Sequence, residues 1–508
     1  MAWLIEPNVC PGLFYGTSAQ DGYLIRIRTP GGFLNAEQGR VLATLAETWG
    51  SELIQVTNRA NLQIRAVQGA PTAEVLQTLQ TIGLAAENPR LDHLRNVMTS
   101  PTAGIDAEEL IDTRALVTAL DAYIQHHPEL VGLPSKFSLG IDGGGAVGIG
   151  TRSPVPWEHR YNEIQLSAVV GSSQEVSFQL YLGADKQLWD TQMLIPPDEC
   201  VAVVGALVKV YLDYVNQKAG MPKKPRMKHL LQNWGGRRYL QAVKEYLTHP
   251  LHPMREEVPH RPSQPYAHLG VQGQKQGGFS YIGINLRLGQ LTPTQLQGLA
   301  ELSQTFGSQG LRLTPWQTIL LPDIRDQEVS GVLQHLAGLG LGGCDDGVEA
   351  AIVACAGKPG CASGVTATQR DAIALQDYLN QQLTLDRPVN IHFTACPKSC
   401  AQPSPAEITL LGTTIEQSGQ TLEGYHIYVG SVDSHSDSGD RAGSKNEHRA
   451  PESQPIPHQH YLGEVTTPEL PSRIAQLLAF YQQNRTTPDE SFPAFTHRFD
   501  INQLQLLI

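Results

Sequence analysis

The chain has 508 residues, of which 41% are hydrophobic and 17% are charged, as is ordinary for a soluble globular protein. Its length exceeds what one hydrophobic core supports, and its net charge of −12 opposes nucleic-acid binding, because phosphate contacts need a basic surface. The first 16 residues have no basic stretch followed by an apolar one, so we expect no signal peptide. The longest apolar run, residues 200–208, is too short to span a bilayer. We therefore expect a cytoplasmic protein with no membrane and no nucleic-acid partner.

The first predicted elements lie within residues 23–64. Alternating apolar residues at 23–28 predict a strand, and apolar residues at helical spacing over 41–49 predict a helix. The segment IQVTNRANLQI, residues 54–64, predicts a second strand. The chain therefore begins with a strand, a helix and a strand.

The same pattern returns in the second half of the chain. Residues 32–64 align without a gap on residues 289–321, and 10 of the 33 aligned positions are identical. Both copies predict a strand, a helix and a strand, with LRLTPWQTILL as the second strand of the later copy. We predict an α+β fold with mixed or antiparallel sheets, internally duplicated about a pseudo-twofold axis and assembled from both halves of the chain.

The remainder of each half also corresponds, although more loosely. Residues 114–123 followed by LPSKFSLGIDGGG parallel residues 370–378 followed by RPVNIHFTACPKSC. The first of these loops is rich in glycine (Gly143 to Gly145), whereas the second contains cysteines. This predicts a duplicated protein with its chemistry in one half.

Two polar segments interrupt this pattern. The basic run KKPRMKH, residues 223–229, is either a solvated run of charges or a docking patch for an acidic electron carrier. Residues 431–459 are almost without apolar side chains and predict a disordered surface insertion. The resulting division has four parts, 1–75, 76–260, 261–330 and 331–508, with the insertion in the last.

Four of the seven cysteines form two close pairs. Cys355 and Cys361 have the spacing C-x5-C, and Cys396 and Cys400 have the spacing C-x3-C. In a reducing compartment, paired cysteines favour metal ligation over disulfides, and the five-residue spacing fits zinc poorly. The pattern predicts a [4Fe–4S] cluster, with buried structural cysteines and zinc as alternatives.

This cysteine pattern, together with the duplication, resembles the nitrite/sulfite reductase family from about residue 10 to residue 430. The resemblance implies two ferredoxin-like half-domains, residues 1–75 and 261–330, a first cluster-free reductase-like domain and a second domain that holds the cluster. It also implies that Cys355, Cys361, Cys396 and Cys400 bind the cluster, and that Cys400 bridges to the iron of sirohaem.

Further site residues follow from the same resemblance. VTNRANLQIR is similar to the segment that supplies an anion-binding arginine, here Arg59, with Arg65 beyond it, and LRNVMTSPTAGID places a second arginine at Arg95. LPSKFS places the active-site lysine at Lys136. Arginine suits the carboxylates of a macrocycle or a small oxyanion because it donates two parallel hydrogen bonds. We expect Gly143 to Gly145 to let the chain pass close to the ring.

Several stretches resemble the precorrin-3B synthase branch of the family, among them CPGLF, LPSKFSLGIDGGG and CAGKPGCASG. Sulfite reductases have a second lysine where this chain has Ser138.

The preferred hypothesis is a cytoplasmic oxidoreductase that hydroxylates precorrin-3A with dioxygen and forms a lactone, using the cluster and a mononuclear non-haem iron. The alternative is a ferredoxin-dependent nitrite or sulfite reductase with sirohaem. Both take electrons from a separate donor such as ferredoxin, since no dinucleotide-binding motif is present. A non-enzymatic sensor or tetrapyrrole chaperone is a third possibility.

Overall fold

The computed structural model describes residues 3–4, 10–154, 158–171, 174–185, 187–218, 220–221, 223–255, 258, 260–342, 348–402, 404–430 and 459–508. The predicted insertion therefore lies outside the described residues apart from Gln459. The chain divides into two compact units, Met1–Asp345 and Asp346–Ile508. Within the described ranges, no helix combines the length and the apolar character needed to cross a membrane.

The first repeat begins the first unit. Its elements are β1 (Thr17–Ala19), β2 (Gly22–Ile27), β3 (Phe33–Asn35), α1 (Ala36–Thr48), β4 (Ile54–Val56), β5 (Leu62–Val67) and α2 (Ala73–Thr81). Helix α1 starts at a capping box, in which the side chains of Asn35 and Gln38 each accept the other's backbone N–H at 2.8 Å.

The segment that follows forms a six-stranded sheet and four helices. Its elements are β6 (Val97–Thr99), α3 (Arg114–His126), β7 (Leu139–Asp142), β8 (Ile164–Val170), β9 (Val176–Gly183), β10 (Leu188–Ile195), α4 (Cys200–Gln217), α5 (Met227–Trp234), α6 (Gly236–Lys244) and β11 (His252–Pro253). The strand order is β6-β7-β8-β9-β10-β11. Strands β6, β7 and β8 are parallel, and the remaining pairs are antiparallel.

The second repeat completes the first unit. Its elements are β12 (Gly270–Gly273), β13 (Phe279–Ile284), β14 (Gln290–Leu291), α7 (Pro293–Phe306), β15 (Gly310–Leu313), β16 (Ile319–Arg325) and α8 (Val329–Gly338). Helix α7 starts at the same kind of capping box as α1, here between Thr292 and Gln295.

The second unit contains one sheet and five helices among its described residues. Its elements are β17 (Ile352–Ala354), α9 (Gly357–Gly360), α10 (Thr368–Gln382), β18 (Ile391–Thr394), β19 (Ile408–Gln417), β20 (Gln420–Val429), β21 (His460–Thr466), α11 (Leu470–Asn484), α12 (Phe492–Arg498) and α13 (Ile501–Gln505). The strands follow chain order, with β17, β18 and β19 parallel and the rest antiparallel. Strands β6 to β10 have the same arrangement, so the looser sequence correspondence reflects a second structural duplication.

The two repeats of the first unit exchange one strand each. One sheet has the order β1-β2-β5-β4-β14, and the other has the order β12-β13-β16-β15-β3. Strand β3 belongs to the first repeat but pairs with β15, and β14 belongs to the second repeat but pairs with β4. The predicted α+β duplication, with sheets assembled from both halves, is confirmed.

One hydrophobic core serves both repeats. It contains Leu42 and Ile54 from the first repeat and Leu299 and Leu313 from the second. Helices α1 and α7 pack closely at Gly39, where a Cβ would lie 3.2 Å from the Cβ of Ala300. The two half-domains therefore share apolar burial, and the four-part division of the chain stays a prediction.

The segments predicted as single second strands are hairpins. In the first repeat, β4 and β5 pair antiparallel around the turn at residues 57–61. The Thr57 hydroxyl accepts the N–H of Asn61 at 3.1 Å, and Ala60 adopts a φ of 52°. Apolar alternation continues through this turn, so the sequence pattern does not reveal the reversal. Arg59 consequently lies at a hairpin tip and not on a strand.

Candidate functional site

Two of the four paired cysteines follow neighbouring parallel strands. Strands β17 and β18 pair with Ala354 opposite Phe393. Cys355 comes directly after β17, and Cys396 comes two residues after the end of β18. Because parallel strands end at the same edge of a sheet, both cysteines lie at that edge.

Hydrogen bonds join the loop of residues 355–368 to the loop of residues 393–400. The Ala395 N–H donates to the Cys355 sulfur at 3.3 Å, and the Cys355 N–H donates to the Phe393 carbonyl at 3.1 Å. The Lys398 ammonium donates to the Ser363 hydroxyl at 3.0 Å. The two cysteine-bearing loops therefore lie against each other.

The two loops carry the four paired cysteines as free thiols. Cys355, Cys361 and Cys396 are half-buried thiols outside any disulfide, and Cys400 is exposed. A Cβ at Gly364 would lie 2.9 Å from the Gly357 carbonyl carbon, so the loop turns as only glycine allows. In the described ranges, no three or more His, Cys, Asp or Glu side chains are arranged to hold one metal ion. That result does not bear on a [4Fe–4S] cluster, because each of its four thiolates bonds a different iron atom and they do not converge on one ion.

The glycine-rich loop is the first unit's counterpart of the second cysteine loop. Ser100 follows β6 and Gly143 follows β7, as Cys355 follows β17 and Ala395 follows β18. A Cβ at Gly143 would lie 2.6 Å from the Ile111 carbonyl, and a Cβ at Gly145 would lie 2.4 Å from Asp106. Close contact with residues 106–111 is one reason for these glycines, and their approach to a ring stays a prediction.

Arg59 is held by neutral oxygen atoms. Its guanidinium donates to the Tyr161 carbonyl at 2.8 Å, to the Ser138 hydroxyl at 3.2 Å and to the Asn162 side-chain oxygen. Burial, followed by the nearby charges of Arg160 and Arg226, lowers the pKa of Arg59 to about 10. The group stays charged at neutral pH and is not neutralised by these acceptors, which suits binding of an anion.

Arg65 and Arg95 have carboxylate partners. Arg65, on β5, forms two hydrogen bonds with Asp21 at 3.0 and 3.1 Å. Arg95 is 3% exposed and donates to both oxygens of Asp121 at 2.9 Å. Burial acts to lower the pKa of Arg95, but the hydrogen bonds and charge of Asp121 outweigh it and raise that pKa. The positive charges of these two arginines are therefore balanced by carboxylates, whereas the hydrogen-bond acceptors of Arg59 are neutral.

Lys136 is exposed in the turn before β7. The next-but-one residue, Ser138, is 2% exposed and accepts the hydrogen bond from Arg59. The segment LPSKFS thus links one predicted site residue to another. The link runs through Ser138, which the sequence indicated only as the place of a missing lysine.

Three further arginines belong to the surroundings of Arg59. Burial lowers the pKa of Arg26 and brings the pKa of Arg28 and of Arg160 to about 10. The charge of Arg26 lowers the pKa of Arg28, and the charge of Arg59 lowers the pKa of Arg26. The charge of Arg160 in turn lowers the pKa of Arg59. Arg26 donates to Gln63 and Arg28 donates to two backbone carbonyls. The sequence pattern that could have indicated these residues is the alternation in YLIRIR, residues 23–28, because it puts Arg26 and Arg28 on the same side of the chain.

Several buried polar atoms beside these arginines have no hydrogen-bond partner within the described residues. They are Arg26 Nε, Asp92 Oδ2, His93 Nδ1 and Arg95 Nη1. Burial lowers the pKa of His93 to about 3, so its ring is neutral. Buried polar groups are normally hydrogen-bonded, so these atoms are candidates to contact a bound polar or anionic group.

The basic run at residues 223–229 is largely used inside the first unit. Lys224 donates to the carbonyls of Val131 and Leu133 at 3.0 and 3.3 Å. Arg226 pairs with buried Glu163, and Lys228 pairs with Asp185. These contacts favour a structural role over a docking patch.

Two family models match the chain. The model for the nitrite and sulphite reductase 4Fe-4S domain matches residues 91–251, and the model for the nitrite/sulfite reductase ferredoxin-like half domain matches residues 17–82 and 272–339. Residues 91–251 contain a single cysteine, Cys200. This match therefore falls on the copy without the paired cysteines.

Curated relatives match across most of the chain. The ferredoxin–nitrite reductase of Synechococcus elongatus is 32% identical over 431 residues, covering 82% of each protein. The chloroplastic ferredoxin–nitrite reductase of Oryza sativa is 28% identical, covering 82% of this chain and 71% of its own. Sulfite reductase [ferredoxin] 2 of Mycolicibacterium paratuberculosis is 27% identical over 424 residues, covering 80% and 73%.

The fold also matches a solved structure. The NirA protein of Mycobacterium tuberculosis superposes with a TM-score of 0.76, covering 95% of this chain and 84% of that protein. The sequence identity over this match is 22%. At that level of identity, the likeness concerns the fold alone.

Proposed function

The chain belongs to the nitrite and sulphite reductase family, and we propose that it is a ferredoxin-dependent nitrite reductase that uses a [4Fe–4S] cluster and sirohaem. The observation that carries this proposal is the 32% identity with the Synechococcus elongatus enzyme over 82% of both proteins. When bound, the cluster and sirohaem supply stored electrons and an open iron for the six-electron reduction of nitrite.

In this proposal Cys355, Cys361, Cys396 and Cys400 would hold the cluster, and Cys400 would also contact sirohaem. The contacts between the two cysteine loops support this assignment, because Ala395 next to Cys396 donates to the sulfur of Cys355. This backbone N–H would also stabilise negative charge on the Cys355 sulfur.

The arginines of the first unit would bind the negative charges of the macrocycle and of nitrite. Arg26, Arg28, Arg59 and Arg160 are the candidates, because burial lowers their pKa values. The acceptors named above for Arg26, Arg28 and Arg59 are neutral, whereas the charge of Glu158 acts on Arg160. Lys136 and Arg59 would orient nitrite and donate hydrogen bonds as its oxygens gain charge. Arg65 and Arg95 would act mainly through their pairs with Asp21 and Asp121.

Ser138 supports nitrite over sulfite as the substrate. Sulfite reductases carry a second lysine at this position, whereas Ser138 here is buried and fixes Arg59. A smaller set of cations suits a singly charged anion better than a doubly charged one.

The precorrin-3B synthase hypothesis has less support. The curated relatives described above are reductases. That hypothesis needs a mononuclear iron, and the described residues offer no group of three His, Cys, Asp or Glu arranged to hold one metal ion. We therefore derive no step through such an iron.

The test is to purify the protein without oxygen and to measure iron, acid-labile sulfide, extractable sirohaem and the visible spectrum on one sample. Nitrite and sulfite reduction are then assayed with reduced ferredoxin. We expect a cluster, sirohaem and a preference for nitrite. A cluster without sirohaem, in protein made by cells that synthesise sirohaem, would return the precorrin hypothesis to first place. Absence of sulfide would refute both.

A further inference from the structure

Thr368 contacts two atoms of the first paired cysteine. It is the first residue of helix α10, and its side chain is fully buried. Its hydroxyl donates to the Cys355 carbonyl at 2.8 Å and lies 3.5 Å from the Cys355 sulfur. The Cys355 carbonyl lies just beyond strand β17, so Thr368 provides the donor that a neighbouring strand would otherwise provide.

The first cysteine loop is built around this residue. Gly357 adopts a φ of 66°, and a Cβ there would lie 2.6 Å from the Thr368 hydroxyl oxygen. The Lys358 N–H donates to the Thr366 carbonyl at 2.8 Å. Residues 366–368 thus form the surface on which the loop between Cys355 and Cys361 rests.

One donor at the Cys355 sulfur is the Ala395 N–H at 3.3 Å, after β18. The Thr368 hydroxyl has a single proton and donates it to the Cys355 carbonyl, so it holds in place the residue whose sulfur accepts from Ala395. Hydrogen bonds to ligand sulfurs affect the reduction potential of a cluster, because they favour its more negative, reduced state.

We propose that Thr368 is a positioning residue that orients Cys355 and raises the reduction potential of the [4Fe–4S] cluster. This inference rests on the proposed function. It concerns one cluster ligand, and it assigns no contact with substrate to Thr368. Thr368 acts through the Cys355 backbone, which it holds so that the sulfur keeps its hydrogen bond from the Ala395 N–H.

The experiment compares Thr368→Val, which keeps the shape of the side chain and removes the hydroxyl, with Thr368→Ser, which keeps the hydroxyl. The midpoint potential of the cluster is measured in the whole enzyme by a dye-mediated titration followed in visible absorption and electron paramagnetic resonance. We expect a more negative potential in the valine variant and an almost unchanged potential in the serine variant. Iron and sulfide contents are measured for each protein.

Each outcome decides the inference. An intact cluster with the wild-type potential in Thr368→Val would overturn it. If the valine variant and a second variant, Thr368→Ala, both lose the cluster while Thr368→Ser keeps it, the positioning role is supported. Loss of the cluster in the serine variant as well would contradict a role for the hydroxyl. A wild-type protein without sulfide would instead refute the proposed function.

Discussion

At the scale of single residues, Arg59 depends on partners far away in the sequence. Its acceptors Ser138, Tyr161 and Asn162 are 79, 102 and 103 positions from it. These acceptors fix the plane of the guanidinium without neutralising its charge. Such a group is prepared to donate to an incoming anion, since its orientation is already fixed before binding.

Replacement of Arg59 tests its role in catalysis. We expect Arg59→Lys to lower kcat/KM for nitrite about 100-fold, because a lysine cannot keep the fixed fork of donors and one lost donor at a developing negative charge has a cost of this size. Steady-state assays with reduced ferredoxin measure the change, and Arg114→Gln, at an exposed ion pair, is the control. Equal activity of the two variants would exclude Arg59 from the site.

A second residue-scale prediction concerns Glu407, next to strand β19. Burial raises the pKa of its carboxyl to about 7, although Asn390 donates its backbone N–H to it at 2.7 Å. A carboxyl with a raised pKa in the folded state stabilises the fold fully below its ordinary pKa of 4.5. That contribution is lost as the pH rises through about 7.

Glu407→Gln should therefore flatten the dependence of thermal stability on pH between about 5 and 8 and raise the melting temperature at the upper end by a few degrees. Glutamine keeps the acceptor for Asn390 but has no proton to lose. Melting curves over this pH range are compared for wild type, the variant and Glu416→Gln, which is exposed on the same strand. Parallel curves for all three proteins would contradict the prediction.

At the scale of elements, the turn that carries Arg59 occurs twice. The offset of 257 that aligns Gly32 with Gly289 places Trp316 opposite Arg59 and Thr314 opposite Thr57. The Thr314 hydroxyl accepts the N–H groups of Trp316 and Thr318 at 3.2 Å, as the Thr57 hydroxyl accepts those of Arg59 and Asn61. One turn geometry thus carries a cation in one repeat and an indole stacked on His268 in the other.

The contact between helices α1 and α7 gives an element-scale prediction. Gly39→Val should destabilise the first unit by about 1–3 kcal/mol, because its side chain would have to enter a filled core. Gly331→Ala, in α8, should be neutral or stabilising, because nothing lies within 4 Å of the added Cβ and alanine favours a helix. Thermal melting of both variants measures the difference. A stable Gly39→Val protein would show that the core adapts.

At the scale of the whole molecule, the proposed function requires an external electron donor. Lys398 is exposed between Cys396 and Cys400, and Lys358 is 57% exposed between Cys355 and Cys361. Lys358 pairs with Glu423, whereas Lys398 contacts the neutral Ser363 hydroxyl. The positive charge of Lys398 is not balanced by Ser363, so Lys398 is the better candidate to contact an acidic partner.

Lys398→Glu should raise the KM for ferredoxin about tenfold at low ionic strength, with a smaller effect in high salt. The rate with a small dye as electron donor should stay unchanged, because a dye needs no docking surface. Lys244→Glu, exposed on α6, is the matched control. Equal effects of both substitutions would show that net charge is responsible.

Much of the fold was predictable, and the errors have local causes. The gapless alignment of residues 32–64 on 289–321 predicted sheets built from both halves of the chain. Strands β3 and β14 confirm this, because each pairs with a strand of the other repeat. The hairpins at residues 54–67 and 310–325 were missed because apolar alternation does not mark a tight turn. The preference for precorrin-3B synthase rested on short stretches, which carry less information than similarity across the whole chain.

The sequence by itself determined the duplication and the paired cysteines, because both are spacings along the chain. Only the tertiary structure decided which acceptor each arginine contacts, and so whether its positive charge is balanced. It gave Arg95 the carboxylate of Asp121, gave Arg65 that of Asp21 and left Arg59 with neutral acceptors. Such partners are tens of residues apart, and their distance depends on how strands and helices pack, which no local pattern encodes.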